Sequence, residues 1–358
     1  MKRNRLGWAS LVLLVGTITV SAAERYWIGN AGENWSATAS WSVTSGGSGG
    51  ASVPGAADTA IFDSNGNTSG ILDASYAGTV GAVDVQSGYT GTNTQNRNLN
   101  VATNFTLATN AVWKYTADTA AALAVGSNMT VNGTIQCQRT STSSNGTGRS
   151  FTVGGNLVVG STGTFDADGM GFPKDTGPGK NTGRTGGSYG GRGVLKSGGP
   201  VGATYGSIGS PTALGSGGDD WSGGGAIVLS VTGASTIDGT LTANGPGGAW
   251  GSGSGGSVFL TMATFSGAAT GLLRAHGGTD SSQYVHGGGG RIAVVLAGAG
   301  AGFSGYAGGM TAYGGGGGAG AGTVYRKILT QTYGDVVVNN NGMNIVGGQV
   351  TDLPAGSH

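Results

Sequence analysis

The sequence predicts an all-β fold, a parallel β-helix (β-solenoid) with glycine-rich loops. Three observations predict it: a repeated strand motif, a second repeat of longer period, and the placement of glycine. The motif is apolar-x-Val-x-x-Asn-apolar-x-Val. It occurs at 99–107, 123–131 and 151–159, with starts 24 and 28 residues apart and Leu107 in the last place of the first copy. Apolar residues alternate within each half, which points them to one face of a strand. Asn104, Asn128 and Asn156 fall between the halves. Asn tolerates left-handed backbone and bonds its own chain locally, so a corner is expected there.

The longer repeat begins at Ile227, Val258, Ile292 and Val324, spaced 31, 34 and 32 residues, each start following a glycine-rich run. Three of its units end in Ala-x-Gly, at Ala243, Ala275 and Ala312. Glycine supplies 79 of the 358 residues, most of them between Gly169 and Gly322. Its runs border β-branched or apolar segments, as short extended pieces would if joined by chain free to adopt conformations closed to other residues. A repeat with one apolar face cannot bury it alone. Stacking at the strand spacing of about 4.8 Å makes a continuous core and pairs the backbone. The glycine runs then project to one side, either stacked as extended polyglycine helices bonded between coils or as flexible excursions.

Along the chain, residues 1–23 read as a secretory signal: basic Lys2, Arg3 and Arg5, an apolar Leu6 to Val20, and a small-residue Ser21-Ala22-Ala23. An uncleaved N-terminal anchor is the other reading, but the stretch is shorter than the roughly 20 residues of a comfortable span. No other segment is long and apolar enough to cross a bilayer, so a secreted or surface location is expected. Residues 24–98 form an aromatic cap and the first coils, and 99–168 the regular coils. Residues 169–222 form a glycine-rich insertion with Lys174, Lys180, Arg184, Arg192 and Lys196, and 223–358 the glycine-rich repeats. Thr130–Cys137 echoes Thr236–Ala243, so Cys137 matches an alanine and reads as a small buried hydrophobe.

The opening Tyr26-Trp27-Ile28-Gly29-Asn30, Asn34-Trp35-Ser36, Trp41-Ser42 and Val53-Pro54-Gly55-Ala56-Ala57-Asp58 resembles that of bacterial secreted glycine-rich β-helix surface proteins. These are of the autotransporter-like and adhesin-like type. Blocks such as Gly256-Ser257-Val258-Phe259-Leu260 and His286 to Ala293 are similar to their passenger repeats. The resemblance implies a right-handed β-helix and a structural or surface role, and it implies no active site. No C-terminal barrel of amphipathic strands is legible, which sets this chain apart from self-translocating members.

Only 9% of residues are charged and the net charge is +1, against about 25% charged in an average chain. No basic stripe suggests nucleic acid as a partner. Glycans or cell-surface and matrix components are the partners expected. Trp27, Trp35 and Trp41 suit a cap over the open end of the solenoid, and alternatively a platform on which sugars stack, as does Trp221. An enzyme of polysaccharide degradation would need convergent carboxylates. Asp166 and Asp168, one residue apart on a strand, are the candidates for a shared cation or proton, with Asp175, Lys174, Lys180 and Arg184 following. Asp219-Asp220 beside Trp221 is a second pair. His276, His286 and His358 are too few and too scattered for a zinc site. No cofactor is expected. The function expected is an extracellular structural or adhesive β-solenoid module without catalysis. The alternatives are a polysaccharide-binding or polysaccharide-degrading β-helix and, third, an ice- or mineral-binding face.

Overall fold

The computed structural model describes residues 22–141, 146–180, 183–196, 201–281, 285–345 and 350–353. The apolar stretch of the expected signal and His358 lie outside the described residues. Three nine-stranded sheets run the length of the molecule, and successive strands visit them in rotation. One coil takes Leu99–Val101 in the third sheet, Phe105–Leu107 in the first and Val112–Tyr115 in the second, then begins again at Leu123–Val125. All-β architecture and parallel stacking are thus as the sequence predicts. Among the described residues there is no α-helix, only two short 3-10 turns at Thr38–Ser40 and Ser64–Gly66.

The repeats are the register. Leu99 pairs with Leu123 and Leu123 with Phe151, while Phe105 pairs with Met129 and Met129 with Leu157. Ile227, Val258, Ile292 and Val324 form one unbroken column. Alternation sends Val101, Leu107, Trp113 and Tyr115 into a single buried core that extends through the coils to Val294 and Leu296. Cys137 continues a buried column of Ala167, Ala243, Ala275 and Ala312, and the backbone N–H of Cys137, Ala167, Ala243 and Ala275 each donates to the coil beside it. Some polar groups inside are paired, while the Tyr115 hydroxyl and Ser235 Oγ have no partner among the described residues. Gln95, fully buried, accepts from Trp113 Nε1 at 2.8 Å and donates to the carbonyl of Ala122 at 2.8 Å.

The corner asparagines differ from expectation in their reason. None of Asn104, Asn128 and Asn156 is left-handed. Instead each side-chain oxygen accepts the backbone N–H stacked on it in the next coil: Asn104 from Asn128 at 3.1 Å, Asn128 from Asn156 at 2.9 Å, Asn156 from Ala234 at 2.9 Å. The asparagine satisfies a donor that the corner takes out of the sheet ladder.

Both ends of the stack turn antiparallel. Trp41–Ser42 closes the first sheet against Glu24–Trp27, and Asp335–Val337 closes the third against Thr323–Ile328. An antiparallel final strand ends the parallel template that an open edge would offer.

The glycine-rich segments leave the coils after the second sheet and return before the third. They form one arm, and they are stacked. Gly287, Gly288, Gly289 and Gly290 donate in turn to Gly278, Gly187, Gly320 and Ala275, at 3.0, 2.9, 3.0 and 2.7 Å. The fourth bond returns to the limb that received the first. Gly253, Ser254, Gly255 and Gly256 repeat this toward Pro246, Ser216, Gly288 and Ala243. A strand bonds alternately to two sides. A three-residue period is that of the extended left-handed helix of polyproline and polyglycine. The root of each limb closes identically: Gly225, Gly256, Gly290 and Gly322 donate to Ala167, Ala243, Ala275 and Ala312, each at 2.7 Å. The insertion 169–222 joins this lattice through Gly187, Gly191 and Ser216. It also covers the outer face of the third sheet, where Ile208 packs on Ala293 and Tyr325.

Glycine in the limb columns is required by space, while Gly169, Gly177, Gly206 and Gly251 elsewhere in the arm have the positive φ that conformational freedom predicts. Gly224, Gly255 and Gly289 all lie outside the positive-φ region. A Cβ on any of them would fall closer than 3.0 Å to the carbonyl oxygen of Ala243, Ala275 or Ala312 and to a backbone nitrogen of the next limb.

Candidate functional site

Trp27, Trp35 and Trp41 are fully buried. Trp41 meets Trp27 edge-on at 5.3 Å and Trp35 at 5.5 Å, and Trp35 meets Trp113 at 5.9 Å. Each indole N–H is spent internally, on Thr68 Oγ1 at 3.1 Å, Asn93 Oδ1 at 3.2 Å and the Trp35 carbonyl at 2.7 Å for Trp27, Trp35 and Trp41 respectively. The structure therefore places these three candidates where no ring face is open to a sugar. Their place is the core at the first end of the solenoid.

The strand carrying Asp166 ends there, and Asp168 lies in the turn that enters the arm. Asp168 accepts from Thr242 Oγ1 at 2.6 Å and from the backbone and side chain of Asn244 at 2.5 and 3.2 Å. Asp166 accepts the Asp168 N–H at 3.0 Å. Burial, reinforced by the neighbouring Asp168 carboxylate, raises its pKa against that hydrogen bond. These contacts tie the arm to the coils. Among the described residues no group of three or more His, Cys, Asp or Glu side chains is placed to hold a metal ion.

The histidines sit apart within the arm. His276 Nε2 is 2.7 Å from Thr311 Oγ1, and its ring stacks on Tyr313 at 4.8 Å. Burial, with help from Arg274, pulls its pKa down to about 4. His286 Nδ1 accepts the Asp280 N–H at 3.0 Å, and burial lowers its pKa too. The Cys137 thiol is buried and pushed up by that burial, so it is not a nucleophile at neutral pH.

Trp221, the fourth aromatic candidate, is placed differently. It is 39% exposed at an outer turn of the arm. The adjoining hairpin carries Trp250 at its own turn, 40% exposed, with a left-handed φ of 77°. The two turns are bonded: Asp220 N–H donates to the Gly251 carbonyl at 3.3 Å. Gly248 lies so close under Trp221 that a Cβ there would meet the ring at 2.6 Å. Arg184 stacks on the Trp250 ring at 3.9 Å. The positive charge of the insertion is answered locally. Lys180 bridges Asp175 at 2.9 Å and Asp219 at 2.8 Å, and Lys174 stands 3.8 Å from Asp220. This edge gathers Lys174, Asp175, Lys180, Arg184, Asp219 and Asp220 around two half-open indoles. The sequence singled out Trp221 and the charged residues but not Trp250. Its signal was an aromatic inside a glycine-rich turn, Ala249-Trp250-Gly251, with no strand alternation to bury it.

A separate cavity of about 220 Å³ opens at the last coil, lined by Phe303, Tyr306, Met310, Val324, Arg326 and Val337. Its lining mixes apolar side chains with the Tyr306 and Arg326 side chains. Compared with known proteins, the chain matches no family model, no curated protein and no solved structure.

Proposed function

We propose that this chain is an extracellular structural or adhesive β-solenoid module without a catalytic role. This is the role implied by its resemblance to bacterial secreted glycine-rich β-helix surface proteins. The observation that carries the reading is the arm. Its glycine-rich limbs are knit in three directions, and the outermost turns of that lattice hold Trp221 and Trp250 half open. A flexible linker would hold neither ring in place. Contact groups fixed before binding cost less order on binding, which suits adhesion. The coils act as the stiff spacer and the arm as the lateral contact. The basic, apolar and small-residue pattern of 1–23 supports export.

Adhesion of the purified protein, fixed on beads, to cell surfaces and extracellular matrix tests this. Adhesion lost in the double variant Trp221→Ala, Trp250→Gly with an unchanged circular dichroism spectrum is the expected result. Adhesion equal to that of the unaltered protein would remove the arm from the reading. Release of reducing ends or unsaturated uronates from polysaccharides would replace the module by the polysaccharide-degrading alternative.

A further inference from the structure

We infer that the outer edge of the arm is a binding site for an uncharged polysaccharide, with Trp221 and Trp250 as stacking platforms. This inference rests on the adhesive reading for its choice of surface, and adds the class of ligand. Each indole gives one face to the protein, Trp221 to Gly248 and Trp250 to Arg184. Each keeps about two fifths of its surface open, at 39% and 40%. The surroundings decide the ligand. The residues flanking each ring in sequence are small or polar, Asp219, Asp220 and Ser222 beside Trp221, and Gly248, Ala249, Gly251 and Ser252 beside Trp250. A protein interface centres on a contiguous apolar patch with a polar rim. Two flat apolar islands in a polar field match instead a chain of pyranose rings, whose C–H faces alternate with hydroxyls.

The polar groups fit the same ligand. Asp220 is exposed beside Trp221, its nearest cation Lys174 at 3.8 Å, so its carboxylate can accept from a sugar hydroxyl. Lys174 pairs with Asp220 and Lys180 with Asp175 and Asp219, while Arg184 lies over the Trp250 ring and Lys196 stands 6.0 Å from it. That near balance of charge gives a polyuronate or sulfated glycan little advantage. Trp250 is also held in a backbone conformation that bulky side chains rarely adopt, φ 77°. Strain of this kind persists where the surrounding structure enforces it, and it clusters at ligand sites.

The experiment titrates the full protein with hydroxyethylcellulose, a soluble β-1,3-glucan, dextran, polygalacturonate and alginate, following tryptophan fluorescence and affinity electrophoresis. At least one of the neutral polymers should shift the emission and retard the protein. Trp221→Ala and Trp250→Gly should each weaken that binding about tenfold, the loss of one stacked ring. Trp250→Gly keeps the left-handed turn, so loss of binding there is not loss of fold. Asp220→Asn should weaken it less. No response to any neutral polymer, a response to the uronates alone, or undiminished binding by the double variant overturns the inference. If adhesion to cells depends on both tryptophans while no neutral polymer binds, the ligand is of another class and the adhesive reading stands.

Discussion

In the coils, Leu229, Leu260 and Val294 lie in one column, each buried on the next. In the arm the same three coils contribute Gly224, Gly255 and Gly289 to a second column with no side chains at all. The coils hide apolar surface and pair backbone along two directions. The glycine columns of the arm have no apolar side chains to hide, and pair backbone along three. The difference teaches how a chain so rich in glycine stays ordered. Glycine loses more conformational freedom on folding than any other residue, about 0.5–1 kcal/mol more than alanine. The arm offsets that with hydrogen bonds whose donors and acceptors are screened from water by close packing. A coil side chain can be trimmed and the site relaxes. An arm glycine cannot be enlarged, because its neighbours are backbone.

The largest expected effect is therefore an added side chain in the arm. Gly289→Val places atoms against the Ala312 carbonyl and the Gly322 nitrogen. It should cost about 4 kcal/mol or more, the upper end of overpacking. Hydrogen exchange should show lost protection at Gly187, Gly255 and Gly320 while strands far from the arm keep theirs. Uniform loss through all coils would mean that arm and coils fold as one unit. In the coils, Leu260→Ala should cost about 3 kcal/mol in urea unfolding, as a buried cavity does. A loss equal to that of the glycine variant would erase the contrast.

Acid should test the arm next. The folded pKa of His276 lies at about 4, below the ordinary 6.5, so the unfolded chain binds the extra proton first. Stability from this group is complete above pH 6.5, falls progressively as pH drops toward 4, and levels off below. The full shift would correspond to about 3 kcal/mol, and partial exposure reduces that to about 2 kcal/mol. His276→Gln should show a shallower loss between pH 6.5 and 4 in urea midpoints. A slope equal to that of the unaltered protein would place the acid sensitivity elsewhere. The smallest effect belongs to Gly317→Ala, where a Cβ would meet nothing within 4 Å and φ is not left-handed. It should change the melting midpoint by less than about 0.5 kcal/mol equivalent. A large loss there would mean that glycine in this arm answers to conformation rather than space.

Much of the coil architecture was legible in the residues. The nine-residue motif places Leu99, Leu123 and Phe151 at equivalent points, and the structure pairs them. The echo between Thr130–Cys137 and Thr236–Ala243 identified the column in which Cys137 sits with alanines. The corner asparagines were placed correctly, but their bond to the following coil was not readable, because it joins residues a whole turn apart. The candidate surface was legible in part. Trp221 and its charged neighbours were visible as polar and aromatic residues in a glycine-rich stretch. Trp27, Trp35 and Trp41 looked equally available until their burial placed them inside.

By itself the sequence determined the strands, their inward faces and their register, since alternation and repetition are properties of consecutive residues. Only the tertiary structure decided what the glycine runs do and which tryptophans face outward. A glycine carries no side-chain pattern to name its neighbour. The partner of Gly288 is Gly187, and that choice is made by which backbones the folded coils and the insertion bring within hydrogen-bond distance.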